Sequence, residues 1–445
     1  VSENIALEKA ASRWYKLDPV EEQMKLVADR TRFIIVAAGR RSGKTERAKR
    51  RILKACMDAP GNYFIAAPTY SQVKMIYWDD IKEMGAITQP VKDPSESKLI
   101  YYFNNGAKLY LLGLDKPKRI EGVLWKGGII DECAYIKESA WVNSVRPALD
   151  TKDRRNPGYK AWCWLIGKPD GRNHFYDWFK YAKIGTDPEW AAYHWESAVV
   201  LDKDTLDAAM RSMSPKQFNQ EYRATFETSS GRIYEDYGPK NYTDELITAD
   251  EEIHYYCDFN FTPMSHGIAV IRGIDVLVLD EIVLEGAKGY MNVIEFCERY
   301  KDHRKKVVYL YGDSSGSNGA KHGLDSEYSL MVTEFKKYGW AVTKRVKAAN
   351  PAIKDRHNAV NAKILNAAGE VSLFVNPTMA PYNDKSLDTT QFKKGSTVIE
   401  EQSTKDHKEY QHMSTGLGYF LDRVFPAKGK FDFDAHQISN PWGID

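Results

Sequence analysis

Short apolar runs separated by helical patterns organise the first half of the chain: Phe33–Ala38, Tyr63–Ala67, Lys108–Leu112, Gly127–Ile130 and Trp162–Ile166. These runs are too short for helices, and their alternation with helical stretches predicts a parallel sheet covered by helices on both faces. Between about 201 and 226 the pattern turns helical (LDAAMRSMSPKQFNQEYRATF). It gives way to TSSGRIYEDYGPKNYTDE, whose Gly, Pro and Ser mark a boundary between domains. The expected division is 1–228, a linker over 229–248, and 249–445.

The second half has a different rhythm. Tyr255–Phe261, His266–Ile271 and Val276–Leu284 are closely spaced β-rich runs, as in an antiparallel meander. A helical stretch, Tyr290–Tyr300, and another apolar run, Val307–Tyr311, follow. Three strands, a helix and a strand form the opening of a ribonuclease H-like fold, as they do of many other α/β folds. Residues 384–406 are polar and irregular, which predicts a long hairpin or loop. The expected class is α/β, with a parallel-sheet domain followed by a mixed-sheet domain.

Composition supports two domains and narrows the partners. At 445 residues the chain is too long for one compact core. With 43% hydrophobic and 28% charged residues it is neither disordered, collagen-like nor a coiled coil. Lys+Arg 63 against Asp+Glu 61 leaves a net charge of +2, so any nucleic-acid partner must be argued from local patches. Two segments qualify: Arg40–Lys54, with eight Lys/Arg and one acid, and Lys336–Arg356, with seven and one. A solvated helix face is the usual reading of such runs; in a chain with a polynucleotide-cutting site the second becomes a candidate for sequence-independent, salt-dependent phosphate contacts, while the first is confounded by a phosphate-binding motif. Cys56, Cys133, Cys163, Cys257 and Cys297 are odd in number and include no CxxC pair, against a disulfide framework or a zinc site. No stretch approaches the ~18 apolar residues of a membrane span, and VSENIALEKAASRW lacks the apolar centre of a signal peptide. A soluble protein of a reducing compartment, away from membranes, is expected.

The strongest local signal is Phe33-Ile-Ile-Val-Ala-Ala-Gly-Arg-Arg-Ser-Gly-Lys-Thr45, a strand, a turn and a helix start. Such a turn aims backbone N–H groups and a helix N-terminus at a β-phosphate. Lys44 would reach the β/γ-phosphates and the Thr45 hydroxyl would hold Mg²⁺. Ala38 occupies the position where the usual P-loop has its first glycine, with Gly39 one residue later, so the strict pattern is broken. A second strand, Lys126-Gly-Gly-Ile-Ile, ends in Asp131 and Glu132. In a P-loop ATPase the first of such acids orients Mg²⁺ and the second polarises the attacking water. Order and placement at strand ends together favour an ATPase over a chance Gly-Lys-Thr. Gln23 is either an adenine reader or a surface glutamine, and Arg40, Arg41 and Arg119 are candidates for offsetting γ-phosphate charge.

The second half carries acids on strands, where carboxylates need a reason. Asp258 lies on the first β-run, Glu281 near the end of the third and Asp313 just after the fourth. Converging on one sheet edge they would repel unless Mg²⁺ or Mn²⁺ bridged them, as in a two-metal phosphodiester-cleaving site.

These motifs in combination resemble the large terminase subunit of tailed bacteriophages, the DNA-packaging motor, over roughly Asp18 to Pro426. The resemblance rests on Gly-Arg-Arg-Ser-Gly-Lys-Thr45, Phe64-Ile-Ala-Ala-Pro-Thr-Tyr70, and Gly113-Leu-Asp-Lys-Pro-Lys-Arg-Ile-Glu-Gly122. Gly167-Lys-Pro-Asp-Gly-Arg-Asn-His-Phe-Tyr176 is similar to the family's coupling motif, and Phe218-Asn-Gln-Glu-Tyr222 to the close of its ATPase domain. An altered P-loop is ordinary in that family. The resemblance implies an N-terminal P-loop (RecA/ASCE-like) ATPase domain and a C-terminal ribonuclease H-like nuclease domain. It implies ATP and Mg²⁺ held by Gly39, Arg40, Arg41, Ser42, Gly43, Lys44, Thr45 and Asp131, with Glu132 as catalytic base and Gln23 reading adenine. Arg119 becomes a finger reaching a neighbouring subunit. Asp258 and Asp313 become ligands of Mg²⁺ or Mn²⁺, with Glu281 as an additional carboxylate. The implied partners are double-stranded DNA, a portal protein, a small terminase subunit and further copies in a ring, a pentamer on the prohead, in the host cytoplasm.

One departure matters. The family places its last metal-binding aspartate in a segment of the form His-x-x-Asp-x-Leu-x-Tyr, and here His412-Met-Ser-Thr415-Gly-Leu-Gly-Tyr419 has threonine at that position. Either Asp406, His407 or Asp422 substitutes, or the nuclease is weakened or disabled. A helicase-type repair ATPase with an appended nuclease is the competing function, but it needs a second RecA-like domain that the second half does not display. A DNA-binding scaffold with structural carboxylates is the third.

Overall fold

The computed structural model describes residues 20–88, 90–154, 156–227, 231–259, 263–316, 326–392 and 411–426. They form two compact units, residues up to 206 with 219–227, and residues 207–218 with those from 231 onwards.

The first unit is built on seven strands: β1 (Phe33–Ala38), β2 (Asn62–Ala67), β3 (Ile100–Tyr102), β4 (Lys108–Gly113), β5 (Trp125–Ile130), β6 (Trp162–Gly167) and β7 (Trp190–Trp195). Their order is β3-β4-β2-β5-β6-β1-β7. All neighbours run parallel except the edge strand β3, which is antiparallel to β4. Every residue of β1 is buried, because it feeds two cores. Ile34, Val36 and Ala38 pack with Ile52, Leu53 and Cys56 of the helix Lys44–Asp58. Phe33, Ile35 and Ala37 pack on the other face with Trp141, Phe175 and Phe179. A strand buried on both faces has no polar side to show, which is why it reads as a continuous apolar run. Strand β6 lies between β1 and β5, so the two motif-bearing strands are not neighbours.

The second unit has β8 (Ile253–Asp258), β9 (Met264–Arg272), β10 (Asp275–Leu284), β11 (Val307–Gly312), β12 (Ala341–Lys344) and β13 (Leu373–Val375). Their order is β12-β11-β8-β9-β10-β13. The first three form the expected antiparallel meander, and β11 lies parallel to β8. Gly289–Arg299 and Glu327–Lys337 cover one face through Val293, Phe296 and Phe335. Ile353–Ile364 and Gln411–Val424 cover the other through Val360, Leu417 and Phe420.

Three expectations change. The described part of 229–248 is no free connector, since Ile233, Tyr234 and Tyr237 are buried in the second unit's core. Polar neighbours hide those three side chains in the sequence. Within 384–406, residues up to Thr389 complete a helix, Pro381–Thr389, and the remainder beyond Phe392 lies outside the described residues. The strand expected to run from Tyr255 to Phe261 stops at Asp258. All five cysteines are free and buried. Among the described residues no helix is long and apolar enough to cross a membrane.

Candidate active sites

In the first unit the chain leaves β1 at Ala38 and enters the helix Lys44–Asp58 through Gly43, whose φ of 82° lies in the left-handed region. Glycine is required there, because only it adopts this conformation without strain. Gly39 is required for a different reason. A Cβ at Gly39 would stand 2.4 Å from both Ser197 Oγ and Tyr222 O, so the loop is pressed against its surroundings. Arg41 carries the loop's other positive φ, 57°.

Neighbouring elements fasten this loop. The amides of Gly39, Arg40 and Ser42 donate to Trp195 O (3.0 Å), Glu221 O (2.7 Å) and Gly39 O (3.3 Å). These three N–H groups are therefore committed to protein carbonyls. The amides of the helix's first turn, from Lys44 on, have no intrahelical acceptor and form the natural anion cradle. Gln23 is buried, with its Nε2 donating to Ser42 O (2.7 Å) and its Oε1 accepting from Arg47 Nε (2.7 Å). Its amide braces the loop rather than standing free for a base.

At the end of β5, Asp131 is buried and bonded through both oxygens. Its Oδ2 accepts from Thr45 Oγ1 (3.0 Å) and Tyr77 OH (2.6 Å), and its Oδ1 from the Glu132 amide (2.8 Å). A hydroxyl and a carboxylate in contact at a phosphate loop suit Mg²⁺, which is bound by one or two such oxygens together with phosphate. Glu132 has a positive φ of 52° and a buried Oε2 with no hydrogen-bond partner. Burial pushes its carboxyl up, the Lys44 ammonium pulls it back, and Asp131 alongside adds to the rise. A carboxylate raised in this way is better matched to accepting a proton near neutral pH.

The segment Gly167–Tyr176 touches this acid turn directly. Asn173 Nδ2 donates to Ala134 O (2.9 Å) and His174 Nε2 lies 3.1 Å from Cys133 O. Its other end is tied to the helix Pro215–Tyr222: Lys168 is ion-paired with Glu221, and the Gly171 amide donates to Gln220 Oε1 (3.0 Å). Arg40 lies 3.7 Å from the same Glu221 carboxylate. Arg119 sits exposed on the turn Pro117–Ile120 and makes no hydrogen bond or ion pair with these groups among the described residues. Sequence reasoning marks the segments that carry Lys168 and Glu221 but not their ion pair, and it misses Tyr77, which nothing in its local spacing marks because the sheet and its covering helices bring it in.

In the second unit, Asp258 and Asp313 stand side by side. Cys257 and Gly312 are the last registered pair of β8 and β11, and each aspartate is the next residue. The helix Gln411–Val424 reaches both. His412 Nδ1 lies 2.8 Å from Asp258 Oδ2, and Tyr419 OH donates to Asp313 Oδ2 (3.0 Å). Thr415 is one turn from each, hence on the same helix face. Next to it, a Cβ at Gly416 would come within 3.4 Å of the Asp258 amide, so the helix crosses the strand end closely. Burial raises Asp313, but bonds from Asn350 Nδ2, the Ser315 amide and Tyr419 outweigh it and hold the carboxyl below its ordinary range.

Glu281 does not join them. Its Oε1 accepts from the Tyr382 amide (2.7 Å) and its Oε2 from the amide and Nδ2 of Asn383 (2.9 and 2.8 Å). It caps the helix Pro381–Thr389, where a carboxylate complements the orphan N–H groups. Asp422 is also committed, buried and ion-paired with Lys347. Asp406 and His407 lie outside the described residues. Among the described residues, no cluster of three or more His, Cys, Asp or Glu side chains is placed to hold a metal ion.

With this geometry in view, comparison with known proteins is specific. Residues 35–236 match the family model for the terminase large subunit, T4likevirus-type, N-terminal. The large terminase subunit of Thermus phage G20c is 24% identical over 234 residues, 45% of this chain and 47% of the relative. That of Escherichia phage T5 is 26% identical over 225 residues, 49% of each. The match thus spans about half the length of these curated relatives. The large terminase of a thermophilic bacteriophage has a similar fold at 16% identity, with a TM-score of 0.56 over 94% of this chain and 98% of that one. The same thermophilic phage protein has been solved in complex with ADP, again with a similar fold (TM-score 0.55, 17% identity, 94% of this chain and 98% of that one). Residues 35–236 thus match a family model of the terminase large subunit, and the fold as a whole is similar to that of a solved large terminase.

Proposed function

We propose that this chain is the ATP-hydrolysing subunit of a viral DNA-packaging motor, which also carries a divalent-metal endonuclease for cutting concatemeric DNA. The observation that supports it most is the contact of Thr45 with Asp131, with Lys44 and the raised Glu132 carboxyl beside it. In this reading the first unit is the ATPase domain. Lys44 and the first-turn amides hold the phosphates of ATP, Thr45 and Asp131 hold Mg²⁺, and Glu132 takes the proton from the attacking water. Hydrolysis then moves the Gly167–Tyr176 segment, whose Asn173 and His174 lean on the turn after Glu132. Arg119 serves as a finger toward a neighbouring copy, its exposure being what such a role requires. The ADP complex of the thermophilic phage relative agrees with nucleotide use by this fold.

The second unit is the nuclease, with Asp258 and Asp313 as ligands of Mg²⁺ or Mn²⁺. Thr415 supplies a hydroxyl where a third carboxylate would strengthen the site, so cutting by this chain is weak. The partners are duplex DNA, a portal protein, a small terminase subunit and further copies in a ring on the prohead, in the host cytoplasm.

The experiment is ATP turnover by Lys44→Ala and Glu132→Ala. Each should lose at least about 10²-fold in rate, the usual worth of such a group, with the melting profile retained. Unchanged turnover in either variant removes the ATPase reading.

A further inference from the structure

A shallow cleft opens beside Asp313 in the second unit, and none of the residues lining it is acidic. Three cationic side chains converge on it: Arg345 just beyond β12, Lys347 three residues past that strand, and Arg423 near the end of the helix Gln411–Val424. The other polar groups facing it are Asn350 and Tyr419. These two are also the side chains that hold Asp313, through Oδ1 (3.0 Å) and Oδ2 (3.0 Å) respectively. Arg345 and Lys347 are stiffened by their surroundings. The Arg345 guanidinium lies 3.9 Å over the Tyr309 ring and 3.4 Å from Tyr311 OH, while Lys347 is ion-paired with Asp422.

Guanidinium forks match phosphate oxygens in a fixed geometry, which lysine alone does not. We infer that this cleft is a subsite for one backbone phosphate of duplex DNA, neighbouring the phosphodiester at the Asp258–Asp313 pair. Asn350 and Tyr419 serve both places, so a phosphate seated in the cleft bears on the orientation of Asp313. The inference rests on the nuclease reading above and adds which residues hold the strand. It joins Arg423, more than sixty residues further along the chain, to the basic segment Lys336–Arg356.

The test is binding of a fluorescent duplex to the full chain in a chelator, which prevents cutting, over a series of salt concentrations. The proteins are wild type, Arg345→Gln/Arg423→Gln and the charge-preserving Arg345→Lys/Arg423→Lys. Loss of one phosphate contact lowers the slope of log K against log salt by about 0.9, so the Gln pair should flatten it by about 1 and weaken binding alike for unrelated sequences. The Lys pair should keep most of the slope, which separates lost charge from lost structure. Inorganic phosphate at constant ionic strength should not erase the difference; if it does, the cleft takes free phosphate and the DNA assignment fails. Salt-dependent binding by wild type with an unchanged slope in the Gln pair overturns the subsite alone. No salt-dependent binding by wild type overturns the nuclease reading with it.

Discussion

Single residues in this chain do work that their type does not announce. Glu281 lies on a strand of the same sheet as the candidate ligands, yet it serves as a helix cap. Burial pushes its carboxyl up to about 7, against the pull of the Tyr382 and Asn383 amides, from an ordinary 4.5. The folded chain therefore keeps a proton that the unfolded chain releases above pH 4.5. The stability this gives is fully present below pH 4.5 and is lost as pH rises through 7. Calorimetric melting across that window should show a shallower decline for Glu281→Gln than for wild type; equal declines would place the pH dependence elsewhere. Gln23 makes the same point. Its position ahead of the P-loop strand is legible in the sequence, but its bonds to Ser42 and Arg47 are not, since they depend on where two helices meet the loop.

At the scale of elements, strands buried on both faces are the most readable, because an apolar run without polar interruption is what burial on both sides demands. The sequence runs for β1, β5 and β6 agree with the strands to within two residues. The strands that escape a sequence reading sit at or near sheet edges: β3, β7, β12 and β13. They are short or half-exposed, as in Trp190–Trp195 with its histidine, and so lack a pattern. The helix Gln411–Val424 is legible only through a motif frame, and the structure shows where it lands, with His412 on Asp258 and Tyr419 on Asp313. Thr415 lies between those two contacts on one helix face. Thr415→Asp should therefore raise plasmid cleavage in Mn²⁺ by about tenfold or more, the scale on which losing or gaining a metal-site group acts. Equal cleavage by the two proteins would mean that this helix face does not complete the site.

For the whole molecule, each unit has its own sheet, its own cores and its own acids at strand ends. The candidate nucleotide site is legible because its motifs are local: Gly-Lys-Thr opens the helix that follows β1, and Asp-Glu directly follows β5. What is not readable is how the Gly167–Tyr176 segment spans from the Asp131–Glu132 turn to Gln220 and Glu221, a link made wholly by tertiary contact. The central claim is that one chain carries two separable chemistries, hydrolysis at Lys44 and Glu132 and strand cutting at Asp258 and Asp313. The measurement that tests it most directly is ATP turnover and Mn²⁺-dependent plasmid cleavage assayed side by side on Lys44→Ala and Asp258→Asn, each combined with Thr415→Asp. Lys44→Ala should abolish turnover and leave cleavage, and Asp258→Asn should abolish cleavage and leave turnover. Turnover surviving in the first variant, or cleavage surviving in the second, would contradict the account.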